Sequence, residues 1–161
     1  MTPKQRAGIV IAGASLVTFV AVWEGDEKVA YADKLAGGLP TVCNGHTGSE
    51  VRVGDVWTKA QCDAILRKDI EAHGSGLLNC VTVPLNQNQY DALAAWSYNI
   101  GTGAACGSTL VKLLNQGQFT QACDQLLRWN RASGVVVRGL TNRRKAEREL
   151  CLKPMPTGVI T

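Results

Sequence analysis

The sequence predicts an α+β fold, with a small N-terminal β-sheet lobe, a larger helical lobe and a cleft between them. Three observations carry that expectation. The residue pattern changes near position 58 from Gly, Val and Thr to helical periodicity, six cysteines are spread from Cys43 to Cys151, and the 161-residue length leaves one compact domain after an apolar N-terminal segment.

Residues 1–23 read as a membrane signal-anchor. Lys4 and Arg6 precede 17 uncharged residues from Ala7 to Trp23, and Glu24, Asp26, Glu27 and Lys28 close the stretch. Positive charge ahead of an apolar segment keeps the N-terminus cytoplasmic and sends the rest of the chain across the membrane. As a helix the stretch reaches roughly 25 Å, against about 30 Å of hydrocarbon. Ala7, Gly8, Ala12, Gly13, Ala14, Ser15, Thr18 and Ala21 dilute its apolar character, so the expectation is an anchor weak enough to leave the bilayer. Two other readings stand beside it. A cleaved signal peptide needs small residues soon after its apolar core, and Ala30-Tyr31-Ala32 is the well-formed site, behind an unfavourable run of charges. The third reading is a buried core helix of a cytosolic protein.

The domain is expected over residues 24–153. Residues 29–57 carry turn signals at Gly37-Gly38-Leu39-Pro40, Asn44-Gly45 and Gly54-Asp55, which point to a small irregular sheet. Thr58-Lys59-Ala60-Gln61 is a capping-box start, and Ala60, Ala64, Ile65, Leu66 and Ile70 form the expected buried stripe of the helix that follows. Further helices are expected over Asn86 to Ile100, with Leu93, Ala94 and Trp96 inward, over Ser108 to Asn115 after a loop at Gly101-Thr102-Gly103, over Phe119 to Asn130 with Leu126, Leu127 and Trp129, and over Thr141 to Leu152. Pro154 and Pro156 end the last helix, and residues 154–161 read as a tail.

An even number of cysteines in a small exported chain points to disulfides. Joining sequence neighbours makes the least topological demand, which favours Cys43 with Cys62, Cys80 with Cys106, and Cys123 with Cys151. Each such loop stabilises by roughly 3 kcal/mol. The competing reading is zinc at Cys43 and His46, in C-x-x-H spacing but without a second compact pair nearby. The formal charge of +4 suits anionic polymers and is also ordinary for a soluble domain. Neither a P-loop nor a dinucleotide fingerprint occurs, so no cofactor is expected.

Two carboxylates can cleave a glycosidic bond, one protonating the leaving oxygen and the other organising a water. Glu24 follows Val22 and Trp23 directly, the apolar setting that a proton-donating carboxyl needs, and Asp33, nine positions on, suits the ionised partner. On spacing alone, such a pair is more often two solvated surface charges.

The motifs around this pair resemble those of the phage-type lysozymes, the muramidase endolysins. The family's Glu, Asp and Thr appear as Glu24, Asp33 and Thr41, followed by Thr41-Val42-Cys43-Asn44-Gly45-His46-Thr47-Gly48 and Ser97-Tyr98-Asn99-Ile100-Gly101-Thr102-Gly103. Ala122-Cys123-Asp124-Gln125-Leu126 with Arg128-Trp129, then Gly139-Leu140 with Arg143-Arg144 and Glu147-Arg148-Glu149, complete the ordered set from about Trp23 to Cys151. The weakly apolar N-terminus is similar, more narrowly, to that of the signal-anchor-release endolysins.

The resemblance implies a lysozyme-like fold and hydrolysis of the β-1,4 bond between N-acetylmuramic acid and N-acetylglucosamine in peptidoglycan. Glu24 would be the acid, Asp33 would hold or activate the water, and Thr41 would help to position it. It implies peptidoglycan as partner, no nucleic acid, a monomer, and an inner-membrane form, N-terminus inside, that is silent until released to the periplasm. One departure from the pattern matters. Seven residues separate Asp33 from Thr41, more than the family's usual spacing, and the surplus is expected around Gly37-Gly38 as a longer turn. A shifted register would instead displace Thr41.

In similar lysozymes the histidine matching His46 pairs with an aspartate, here Asp69. His73 is expected to be solvated, as are Arg143, Arg144, Lys145 and Arg148 on a helix face without interleaved aromatics. Trp57, Trp96 and Trp129 read as core. The alternatives for function are a tethered wall-binding module without turnover and a lytic transglycosylase, which needs the acid but no activated water.

Overall fold

Strand alternation and turn chemistry shape the N-terminal part, and helix caps and inward stripes the rest. The computed structural model describes residues 14–154 apart from 26 and 35, and these fall into two compact units, 14–71 and 72–154. Residues 1–13 of the expected anchor and residues 155–161 of the tail lie outside the described residues. The expected α+β class is the one found.

The first unit opens with helix α1 (Ala14–Ala21), on which Leu16, Val17 and Val20 are buried while Val22 just beyond is exposed. Strands β1 (Glu27–Asp33) and β2 (Leu39–Cys43) pair antiparallel, with Asp33 opposite Leu39, Ala32 opposite Pro40 and Tyr31 opposite Thr41. The five residues of β1 from Glu27 to Tyr31 face the three of β2 from Thr41 to Cys43, so β1 bulges there. Its freed backbone pairs elsewhere: Ala30 N–H donates to Asp55 O at 2.8 Å, Gly54 N–H to Ala30 O at 2.8 Å, and Trp57 N–H to Lys28 O at 2.8 Å. Beneath lie Ala30, Val42, Cys43, Val51 and Cys62, with Trp57 and Ile65 packed against them. The Cys43–Cys62 disulfide staples this core, and its sulfur bond removes Cys43 as a zinc ligand.

The chain passes from the first unit to the second within helix α2 (Lys59–Leu78). Its expected capping box is formed: Thr58 N–H donates to Gln61 Oε1 at 2.9 Å and Gln61 N–H to Thr58 Oγ1 at 3.2 Å. Leu66 and Ile70 are buried as expected, but Ala60 and Ala64 are exposed. The stripe runs through 62, 66 and 70, an i,i+4 row anchored by Cys62, and the alanines lie to its side.

In the second unit, helix α3 (Gln87–Ile100) is capped by Asn86 through a reciprocal bond with Gln89, and residues 90–97 are buried without interruption. Helix α4 (Thr102–Cys106) stands where a loop was expected, because Gly101 with φ 88° ends α3 and the chain turns at once into a new helical turn. Helices α5 (Thr109–Asn115) and α6 (Phe119–Gln125) follow, the first capped by Ser108. The helix expected to reach Asn130 becomes a 3-10 turn at Leu126–Arg128 and leaves Leu127 exposed. A hairpin of β3 (Arg131–Ala132) and β4 (Val135–Val136), not expected from the sequence, follows and helix α7 (Arg138–Leu152) starts three residues before its expected position. The Cys80–Cys106 and Cys123–Cys151 bonds complete the expected pairing.

Arg143 and Arg144 are not solvated. They are 3 % and 0 % exposed and converge on the fully buried Glu147, Arg143 Nε at 3.0 Å from Oε1 and Arg144 Nη1 at 3.2 Å from Oε2. Residues 143, 144, 147 and 151 form the inward stripe of α7, so the charges occupy positions that would ordinarily be apolar. Lys145 is exposed as expected, and half-buried Arg148 pairs with Asp124 at 2.6 Å. His73 is also half-buried, 3.3 Å from Thr102 Oγ1 and edge-on to Tyr98. Trp96 is fully buried and meets the half-buried Trp129 edge to face; Trp57 is half-buried.

Replacing one partner of a buried ion cluster leaves uncompensated charge, so Glu147→Gln should lower unfolding free energy by about 3–5 kcal/mol in denaturant titration. Asp91, buried on α3 and accepting from Gln87 Nε2 at 2.7 Å, has its carboxyl raised by desolvation, with the hydrogen bond opposing. A folded value above the unfolded one means stability is complete in acid and falls as pH rises through the folded value. Asp91→Asn should therefore raise the melting temperature at pH 7, and the gain should vanish in acid; a pH-independent difference would contradict this.

Candidate active site

Glu24 is set by the end of α1. Trp23 N–H donates to Val20 O at 2.9 Å and Glu24 N–H to the same oxygen at 3.2 Å, so the backbone at Glu24 prolongs the hydrogen bonding of the helix. Its side chain is half-buried. The next residue is clamped from the other side of the unit: Asn44 Nδ2 donates to Gly25 O at 2.5 Å, and Asn44 is itself buried directly after β2. That bond ties the segment carrying Glu24 to the β1–β2 hairpin. In the sequence Asn44 carries only a turn signal and a motif match; its bond spans 19 positions, a distance over which no local pattern speaks.

Asp33 ends β1, half-buried, and the chain reverses on it. Gly38 N–H donates to Asp33 O at 2.7 Å, Ala36 N–H donates to Asp33 Oδ1 at 3.3 Å, and Gly37 and Gly38 take φ of 70° and 86°. Both glycines are required there, since side chains rarely adopt that region. Beyond this turn Asp33 faces Leu39, and Thr41 faces Tyr31. Residues opposite each other share a face, as do residues two apart. Asp33 and Thr41 therefore stand on one face as diagonal neighbours, a relation that in hairpins spans about 7–8 Å. Thr41 is buried, and its Oγ1 donates to Leu39 O at 3.1 Å. With its proton so used, Thr41 can meet a water only as an acceptor.

His46 braces the loop behind the hairpin. Its Nδ1 lies 2.6 Å from Asp69 Oδ2, the expected partner, and its Nε2 lies 3.0 Å from Glu50 Oε1. Glu50's carboxyl is held below its ordinary range by its own backbone N–H and by His46. Occupied on both nitrogens, His46 is a structural tie rather than a base. Among the described residues no group of His, Cys, Asp and Glu could hold a metal ion, and no helix is long and apolar enough to cross a membrane.

The chain is similar to known proteins over most of its length. The Phage lysozyme family matches residues 21–147. The SAR-endolysin of Enterobacteria phage P21 is 38 % identical over 146 residues, covering 90 % of this chain and 88 % of that protein. The muramidase domain of SpmX from Asticaccaulis excentricus superimposes with a TM-score of 0.82 at 31 % identity, over 89 % of this chain and 98 % of that one. A mutant of the lysozyme of Salmonella phage P22 gives 0.78 at 34 %, over 88 % and 97 %. On sequence and fold alike, the chain belongs to the phage lysozyme family.

Proposed function

We propose that this lysozyme hydrolyses peptidoglycan between N-acetylmuramic acid and N-acetylglucosamine with Glu24, Asp33 and Thr41. Glu24 gives its proton to the glycosidic oxygen as the bond to the anomeric carbon breaks. Asp33 accepts a proton from a water that attacks that carbon from the opposite face, and Thr41 accepts the water's other hydrogen, fixing its approach. Attack opposite the leaving group inverts the anomeric carbon. The observation that carries this reading is the hairpin register, which keeps Asp33 and Thr41 on one face despite the longer turn. A lytic transglycosylase would have no use for that pair.

The N-terminal segment serves as the control. Retention is supported by the place of the one plausible cleavage site: Ala30-Tyr31-Ala32 lies within β1, with Ala30 buried and bonded to Asp55 and Gly54. Cleavage there would remove most of the strand. Leu16, Val17 and Val20 are buried here, whereas in a bilayer they would face lipid. They cannot do both, and Glu24, bonded to Val20, moves with α1. The tethered form, in the inner membrane with its N-terminus inside, is therefore silent, and release to the periplasm lets α1 fold into the domain and sets the acid.

Glu24→Gln should reduce lysis of purified sacculi by about 10²–10⁴-fold, the usual contribution of a positioned acid, with the melting temperature unchanged. Retained turnover in that variant would remove Glu24 from its role. Leucines at Gly8, Gly13 and Ser15 should hold the protein in the membrane fraction and delay lysis; lysis on the normal schedule would contradict control by the anchor.

A further inference from the structure

The ribbon of β3 and β4 is exposed on both faces. Arg131 pairs with Val136 and Ala132 with Val135, and Val137 N–H donates to Asn130 O at 2.9 Å. Strand alternation puts Arg131 and Val136 on one face and Ala132, Val135 and Val137 on the other. Both faces are in solvent: Val135, Val136 and Val137 are 67 %, 50 % and 37 % exposed, and every residue from 131 to 139 is exposed. The turn is tight, with Ser133 and Gly134 at φ 48° and 78°, and Arg131 Nη1 donates across it to Gly134 O at 2.9 Å. Two-stranded ribbons are marginal in water by themselves. This one keeps three valines exposed to water.

We propose that this ribbon inserts into the headgroup region of an anionic phospholipid bilayer. A ribbon that docks on a protein needs one apolar face, whereas one that enters lipid is surrounded and needs both. Charge agrees: residues 125–146 contain no Asp or Glu, and Arg128, Arg131, Arg138 and Lys145 are all exposed. Length agrees too, since the two residues of β4 and the extended Val137 span about 10 Å, near the 5–10 Å to which interfacial segments sink. The arginines would then lie at the phosphates with the valines beneath. No aromatic side chain stands between residues 130 and 140, which disfavours stacking on a sugar or a base. A released enzyme with such a tip stays beside the membrane it has left instead of diffusing away.

Amide hydrogen exchange on the full-length protein tests this, with vesicles of phosphatidylethanolamine and phosphatidylglycerol set against vesicles of phosphatidylcholine alone. Amides of residues 131–137 should slow with the anionic vesicles only. Val135→Ser with Val136→Ser should abolish the slowing. Arg128→Gln with Arg138→Gln should raise the lipid needed for half-protection by about 25-fold, taking about 1 kcal/mol for each arginine. Both double variants should still lyse purified sacculi, which checks that they fold. Equal slowing with phosphatidylcholine would overturn the proposal. So would unchanged exchange in 131–137 while the apolar N-terminal segment is protected, because the vesicles would then be engaged without the ribbon.

Discussion

Because side chains alternate along a strand, the pairing of Asp33 with Leu39 decides what stands beside Asp33. A slip of one residue would turn Thr41 to the opposite face and bring Pro40 in its place. The turn prevents this: Gly37 and Gly38 adopt backbone angles that few other residues tolerate, and the Asp33 carbonyl accepts from Gly38. The bulge at the other end of β1 then releases backbone groups that pair with residues 54–57, so the hairpin is held along its length by two partners instead of one. Asn44 adds the tie to the segment that carries Glu24. Local backbone geometry, more than side-chain packing, fixes the three candidate residues.

The remainder of the fold relies on cross-links of several kinds. Cys43–Cys62 closes the first unit, and Cys80–Cys106 and Cys123–Cys151 close the second. The second unit also buries an arginine pair on one glutamate, and Arg143 Nη2 donates to Ala95 O at 3.3 Å, joining α7 to α3. Such a cluster costs desolvation that apolar residues would not, and its geometry specifies one alignment of the two helices.

The sequence disclosed the elements whose signals are local: the capping box at Thr58, the helix of Asn86 to Ile100, and the disulfide pairing of neighbours. It also carried the candidate trio and the His46–Asp69 tie, through motifs. What escaped it is equally physical. Charge at Arg143 and Arg144 reads as solvated unless their place on the inward stripe beside Cys151 is weighed against it. The β3–β4 ribbon was masked by the helical pattern on either side, although Ser133-Gly134 before three valines is a two-residue hairpin signal. The Asn44–Gly25 bond and the second partner of His46 depend on tertiary placement, and no residue pattern encodes them.

Glu24 is continuous with α1 through its bond to Val20 O, so a lytic enzyme that uses Glu24 must retain its N-terminal segment. The intact mass of the protein recovered from the periplasm at the onset of lysis tests this most directly. The expected result is an active species whose mass still includes residues 7–23 and Glu24. An active species beginning after Ala32, without Glu24, would contradict both the catalytic assignment and the control by the anchor.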